Sequence, residues 1–136
     1  DRVWRVLTDF PAFPDWNPFM PNAEGELKAG ATIKVRFKPP KGMAMTIKTK
    51  LLAVEPEREL RWIGHLLVPG LFNGEHGFKI TPLDGSGVRF QQRETFRGIL
   101  APLLAVTGLP ANTLQGFNDM NRALKARAEA SEATSD

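Results

Sequence analysis

From Thr32 to Lys38 the chain alternates without a break: Ile33, Val35 and Phe37 are apolar, and Lys34, Arg36 and Lys38 are cationic. A period of two makes a strand with one buried and one solvated face, the mark of an antiparallel sheet. Met43 to Val54 repeats the pattern with Met45, Ile47, Thr49, Leu51 and Ala53 in phase, and Leu60 to Val68, Glu75 to Pro82 and Val88 to Gly98 follow. A weaker strand lies near Ala23 to Leu27, which makes six. Between them stand turn residues: Pro39-Pro40 with Gly42, Glu55-Pro56-Glu57-Arg58, and Leu83-Asp84-Gly85-Ser86-Gly87. The period then changes. Leu114, Phe117, Asn121, Leu124 and Ala128 recur at spacings of three and four, an amphipathic helix. Strands in sequence followed by one long helix predict an α+β fold. A curved sheet needs its concave face covered, and that last helix is the long amphipathic element available to do it.

The chain opens with a short helix, since Val3, Val6, Leu7 and Phe10 share one face and Pro11 stops it. Four prolines between residues 11 and 21 allow only short turns in FPAFPDWNPFMP. Phe13, Trp16 and Phe19 are too many aromatics for an exposed loop, so this stretch is expected to pack on the core as a bracket. With 136 residues the chain is expected to form a single domain over residues 1–130, followed by a small, polar, disordered tail at 131–136.

Several classes of chemistry are excluded by composition. Cysteine is absent, which removes disulfides, thiol nucleophiles and Cys-based metal sites. The two histidines, His65 and His76, belong to no metal-binding spacing, so no metal and no cofactor is expected. No run approaches the length of a membrane span and no signal-like segment precedes the first helix, so a cytoplasmic protein without stable membrane insertion is expected. The chain begins at Asp1 inside a helical pattern, as a trimmed chain would. The net charge of +3 falls largely on the outer sheet face, as Lys34, Arg36, Lys38, Lys48 and Lys50, with Arg89, Arg93 and Arg97. No exposed aromatic ladder accompanies those charges, so nucleic acid is not an expected partner.

The segment VWRVLTDFPAFPDWNPF at Val3 to Phe19 resembles the opening of the SRPBCC superfamily: START-related, birch-pollen-allergen-like and polyketide cyclase/dehydrase-like proteins. GFNDMNRALKARAE at Gly116 to Glu129 resembles the C-terminal helix of its bacterial members, and WIGHLLVPGLFNGEH and RETFRGIL fit the same group. The resemblance implies a helix-grip fold, in which a seven-stranded antiparallel sheet curls around the C-terminal helix and leaves an apolar cavity between them. It also implies a first strand ahead of the first helix, and the six strands read here lack it.

The hairpin from Glu75 to Gly98 carries the candidate chemistry. His76, Phe78 and Ile80 share one face of its first strand, and Val88, Phe90, Gln92, Glu94 and Phe96 share one face of its second. With both faces inward, a five-residue turn pairs Ile80 with Phe90, Phe78 with Gln92 and His76 with Glu94. A one-residue slip would bury Arg89, Arg93 and Arg97. Three readings of the His76–Glu94 pair stand: a structural pair, a polar anchor for a hydrophobic ligand, or a proton-transfer pair. The first functional expectation is binding of a small hydrophobic, lipid- or polyketide-like molecule in an internal cavity. Val35, Met45, Trp62, Phe78, Phe90, Phe96, Leu114 and Phe117 would form its walls, with Gln92 and Asn121 as further polar contacts. Gly64 leaves room on the inner face beside Trp62. The alternative is a cyclase/dehydratase-type enzyme with His76 and Glu94 catalytic. Leu71-Phe72 reads as a gate or a membrane-dipping wedge.

Overall fold

The computed structural model describes residues 2–65, 70–104 and 106–133, with side chains to residue 130. Helix α1 covers Arg2–Thr8, a 3₁₀ turn Phe10–Ala12 and α2 Phe13–Trp16. Six strands follow: β1 Asn22–Glu24, β2 Thr32–Phe37, β3 Met45–Glu55, β4 Glu59–His65, β5 Asn73–Pro82 and β6 Val88–Arg97. A single turn, α3 (Ala101–Leu104), leads to the long helix α4 (Leu109–Ala133). The strands pair antiparallel in chain order, β1 through β6, as one open sheet. Every element expected from periodicity is present. The end of the strand expected to run to Val68 and the last three residues of the expected tail lie outside the described residues, while residues 131–133 continue α4.

Strand β3 departs from its expected phase. Leu51 pairs with Trp62 and Ala53 with Arg61, so Leu52 is an extra residue in a β-bulge. Beyond it Val54, not Ala53, packs toward the core. Such a bulge lets the long strand bend.

The core fills the grip. Ile33, Val35, Leu51, Leu60, Trp62 and Phe78 come from the sheet, and Phe117, Met120, Leu124 and Ala128 from α4. The buried stripe of α4 thus runs through Met120, which the sequence reading passed over for Asn121. The proline-rich bracket is held locally: Asn17 Oδ1 accepts from the backbone N–H of Phe19 (3.2 Å) and Met20 (2.8 Å). That turn sends Phe19 between sheet and helix, edge-on to Phe37 and Phe117 with both centroids 5.7 Å away. Gly116 makes the approach possible, because a Cβ there would stand 2.5 Å from the Phe19 ring.

On the outer face Arg61 bonds Glu75 Oε1 (2.8 Å) and Glu59 Oε1 (2.9 Å). The hydrogen bond to Glu75, then that to Glu59, raises the guanidinium further above its ordinary value. All three side chains are partly exposed, so solvent screens the network.

Candidate functional site

The hairpin register is the expected one: Ile80 opposes Phe90, Phe78 opposes Gln92, and His76 opposes Glu94. His76 is 2% exposed and sits within a cluster of rings, with centroids 4.4 Å from Phe78, 4.8 Å from Phe117 and 5.6 Å from Trp62. Its two nitrogens are the polar points of that environment, and each meets a side chain of β6. Nδ1 lies 2.8 Å from Glu94 Oε2. The two atoms stand at ion-pair distance, and Oε2 has no hydrogen-bond partner among the described residues. Nε2 lies 2.9 Å from Gln92 Oε1.

The orientation of Gln92 follows from the helix. Its Nε2 donates to Asn121 Oδ1 at 2.7 Å and points at the Phe117 carbonyl at 3.4 Å. A backbone carbonyl can only accept, so the amide nitrogen must face α4 and the amide oxygen must face His76. An amide oxygen also only accepts, so His76 Nε2 carries a proton. A polar chain therefore crosses the interior from Glu94 through His76 and Gln92 to Asn121.

Glu94 lies at one end of that chain and lines an apolar pocket of about 160 Å³. The void exists because two side chains are missing: Gly64 on β4 pairs with Gly74 on β5, and both line it. A Cβ on Gly64 would reach 3.1 Å from Ile47 Cγ2, and a Cβ on Gly74 would collide with Glu94 Oε1. The other walls are Phe37, Met45, Trp62, Phe72, Phe96 and Leu109. Thr49 stays apolar toward the pocket, since its hydroxyl donates to the Ile33 carbonyl at 2.8 Å. Phe72 stacks on Phe96, 5.2 Å between centroids and 15° between planes, so of the two readings of this loop tip, gate or wedge, the contact suits the gate. His65 at the rim donates to Asn73 Oδ1 at 2.7 Å.

Asn121 lies at the other end, on a larger cleft of about 670 Å³ between α1, α4 and the β5–β6 turn. Size favours this cleft, but Arg2, Arg5, Lys125 and Glu129 are among its lining residues. The pocket at Glu94 has what the cleft lacks, an almost wholly apolar lining with one acid set into it, and is the candidate site.

The expected site residues therefore separate by place. Met45, Trp62, Glu94 and Phe96 line the pocket, while Phe90 and Asn121 line the cleft. Val35, Phe78 and Phe117 are packed core beneath the pair, and His76 and Gln92 bridge the two cavities. Leu114 requires correction, because it is 59% exposed and lines neither space. It stands at the edge of the α4 stripe in an early turn of the helix, ahead of the first buried turn at Gly116 and Phe117. The middle of the grip is packed, so the void lies at its end. Gly74, Phe72 and Leu109 were not among the expected binding residues. Gly74 was within reach, since it continues the phase of His76, Phe78 and Ile80 one step earlier. Leu109 depends on how α4 is placed and has no local signal. Among the described residues, no group of three or more His, Cys, Asp or Glu side chains could hold a metal ion.

Residues 1–129 match the family described as polyketide cyclase / dehydrase and lipid transport. The chain belongs to that family. No curated protein matches it in sequence. Among solved structures it is similar to a protein from Chromobacterium violaceum, at 18% identity and a TM-score of 0.68, covering 94% of this chain and 88% of that one. A protein from Nitrosomonas europaea is similar at 18% identity and a TM-score of 0.64, covering 92% and 86%. The di-domain ARO/CYC StfQ from the steffimycin biosynthetic pathway is similar at 17% identity and a TM-score of 0.63; the match covers 95% of this family member and spans 47% of StfQ, about half its length. At these identities the likeness establishes the helix-grip fold. No helix of the described residues is long and apolar enough to cross a membrane.

Proposed function

We propose that the chain binds a small apolar molecule in the pocket between Gly64, Gly74 and Phe96, with the Glu94 carboxylate as its polar anchor. One observation carries this reading: a carboxylate, backed by a buried histidine, faces an otherwise apolar space. The volume of about 160 Å³ sets the size of the guest. It lies below the range of roughly 300–1,000 Å³ for drug-sized ligands. It matches the ~150 Å³ that accommodates a benzene-sized ring. The guest is thus one ring or a short branched chain, or the end of a longer molecule that leaves past Met45 and Phe72. The family description, which includes both cyclase/dehydrase and lipid transport, is consistent with this reading.

A second reading has its own support. Gln92 commits His76 Nε2, so Nδ1 and the Glu94 carboxylate face each other as a pair that can take a proton from one atom of a guest and return it to another. The ARO/CYC likeness agrees with such a role.

Native mass spectrometry of the purified protein, followed by calorimetric titration with phenol, 4-ethylphenol and 2-naphthol, tests both. A retained small molecule or saturable binding supports the pocket, and neither being seen overturns it. Glu94→Gln separates the roles: weakened binding identifies an anchor, and intact binding with lost turnover of a bound substrate identifies a proton-transfer group.

A further inference from the structure

We propose that the open end of the grip, around the mouth of this pocket, docks on an anionic lipid surface. Among the described residues, the exposed large apolar side chains are unevenly distributed. Met43 is 86% exposed, Val106 83%, Ile99 80%, Leu103 64% and Leu114 59%, and all belong to the segments at this end. Elsewhere Leu27, Leu52, Leu83 and Val88 are each 45% exposed or less and lie apart, as single apolar side chains on a surface ordinarily do. A gathered apolar surface on a folded chain marks an interaction site.

The segments are joined where they meet. Asn112, in the first turn of α4, accepts from the Lys41 N–H at 3.1 Å and donates to the Lys41 carbonyl at 2.5 Å, fixing the β2–β3 turn to the helix. The Ile99 N–H donates to the Gly70 carbonyl (3.1 Å) and the Leu100 N–H to the Leu71 carbonyl (2.9 Å), tying the approach to α3 to the loop that bears Phe72. Met45, Phe72 and Leu109, one from each segment, line the pocket, so the apolar surface is continuous with its mouth.

Charge selects the occupant. Residues 37–49 and 95–118, which supply most of this end, contain no Asp or Glu, while Lys38, Lys41 and Arg97 are exposed on them. Exposed apolar side chains whose charged neighbours within these segments are cations complement a bilayer carrying negative headgroups. The turn α3 is far too short to span a bilayer, so the contact is interfacial. Docking of this kind would place the mouth against the acyl region, and it stands whether or not the ligand reading above is correct.

The test is flotation of the whole chain with vesicles of equal phosphatidylcholine and phosphatidylglycerol, and with phosphatidylcholine alone. Expected is co-flotation with the anionic vesicles, at least fivefold less with neutral ones or in 0.5 M salt. Ile99→Asp with Val106→Asp abolishes it, and Lys38→Glu with Lys41→Glu reduces it at least fivefold. Leu83→Asp, at the opposite end of the hairpin, leaves it unchanged, and near-ultraviolet circular dichroism confirms that each variant is folded. No flotation with anionic vesicles, or equal flotation of the Ile99/Val106 variant, overturns the proposal. Sedimentation showing that the same surface pairs two copies, abolished by Ile99→Asp, also overturns it.

Discussion

Gln92 and His76 face each other across β6 and β5 with the amide oxygen 2.9 Å from Nε2, and this contact sets the tautomer of the imidazole. The amide cannot turn over without pointing its oxygen at the Phe117 carbonyl. In nitrogen-15 NMR, His76 Nε2 is expected to be protonated and coupled to its hydrogen. Gln92→Leu is expected to erase that assignment and to cost about 1–3 kcal/mol through an unpaired buried N–H. A protonated Nε2 that survives in Gln92→Leu would show that another group sets the tautomer.

Gly74 tests how the acid is held. Gly74→Ala puts a methyl group in collision with Glu94 Oε1, so the carboxylate must shift from its position over the strand. Ligand affinity is expected to fall at least tenfold in calorimetric titration, with little change in affinity if Glu94 is irrelevant to the site.

Gly116 tests the bracket instead of the pocket. Gly116→Ala forces the Phe19 ring off α4, an overpacking cost of about 1–3 kcal/mol. Thermal unfolding is expected to shift down by roughly 4 °C for each kcal/mol. An unchanged midpoint would show that the ring moves aside freely.

The sorting of wall residues into core and pocket has a direct check. Phe78→Ala, at a fully packed position, is expected to cost about 3–5 kcal/mol in denaturant unfolding. Met45→Ala, nearly half exposed at the pocket mouth, is expected to cost under about 1 kcal/mol while weakening binding. Equal stability losses would refute that division.

Asn112 holds the β2–β3 turn through both polar groups of Lys41. Asn112→Ala is expected to speed amide hydrogen exchange across residues 38–44 at a cost of about 1 kcal/mol. Unchanged exchange there would show that the turn holds its place without the helix.

What the sequence determined by itself was whatever rests on neighbours a few residues apart. Alternation around Ile33 and Val35 specifies a strand, and the spacing of Phe117, Leu124 and Ala128 specifies a helix face. The register of the last hairpin is equally local, because a slip of one residue would bury Arg89, Arg93 and Arg97. The His76–Glu94 pair followed from that register. The resemblance of the two chain ends to a known family supplied the grip around α4, which periodicity alone could not arrange.

Only the tertiary structure decided the rest. The bulge at Leu52 depends on how far β3 must bend. The link from Gln92 to Asn121 depends on where α4 lies over the sheet, and so does the exposure of Leu114. The pocket arises from Gly64 meeting Gly74 across two strands, with Leu109 closing in from a helix far along the chain. Each of these is a contact between segments distant in sequence, set by how the whole sheet curves and where the helix comes to rest, and no local pattern encodes either.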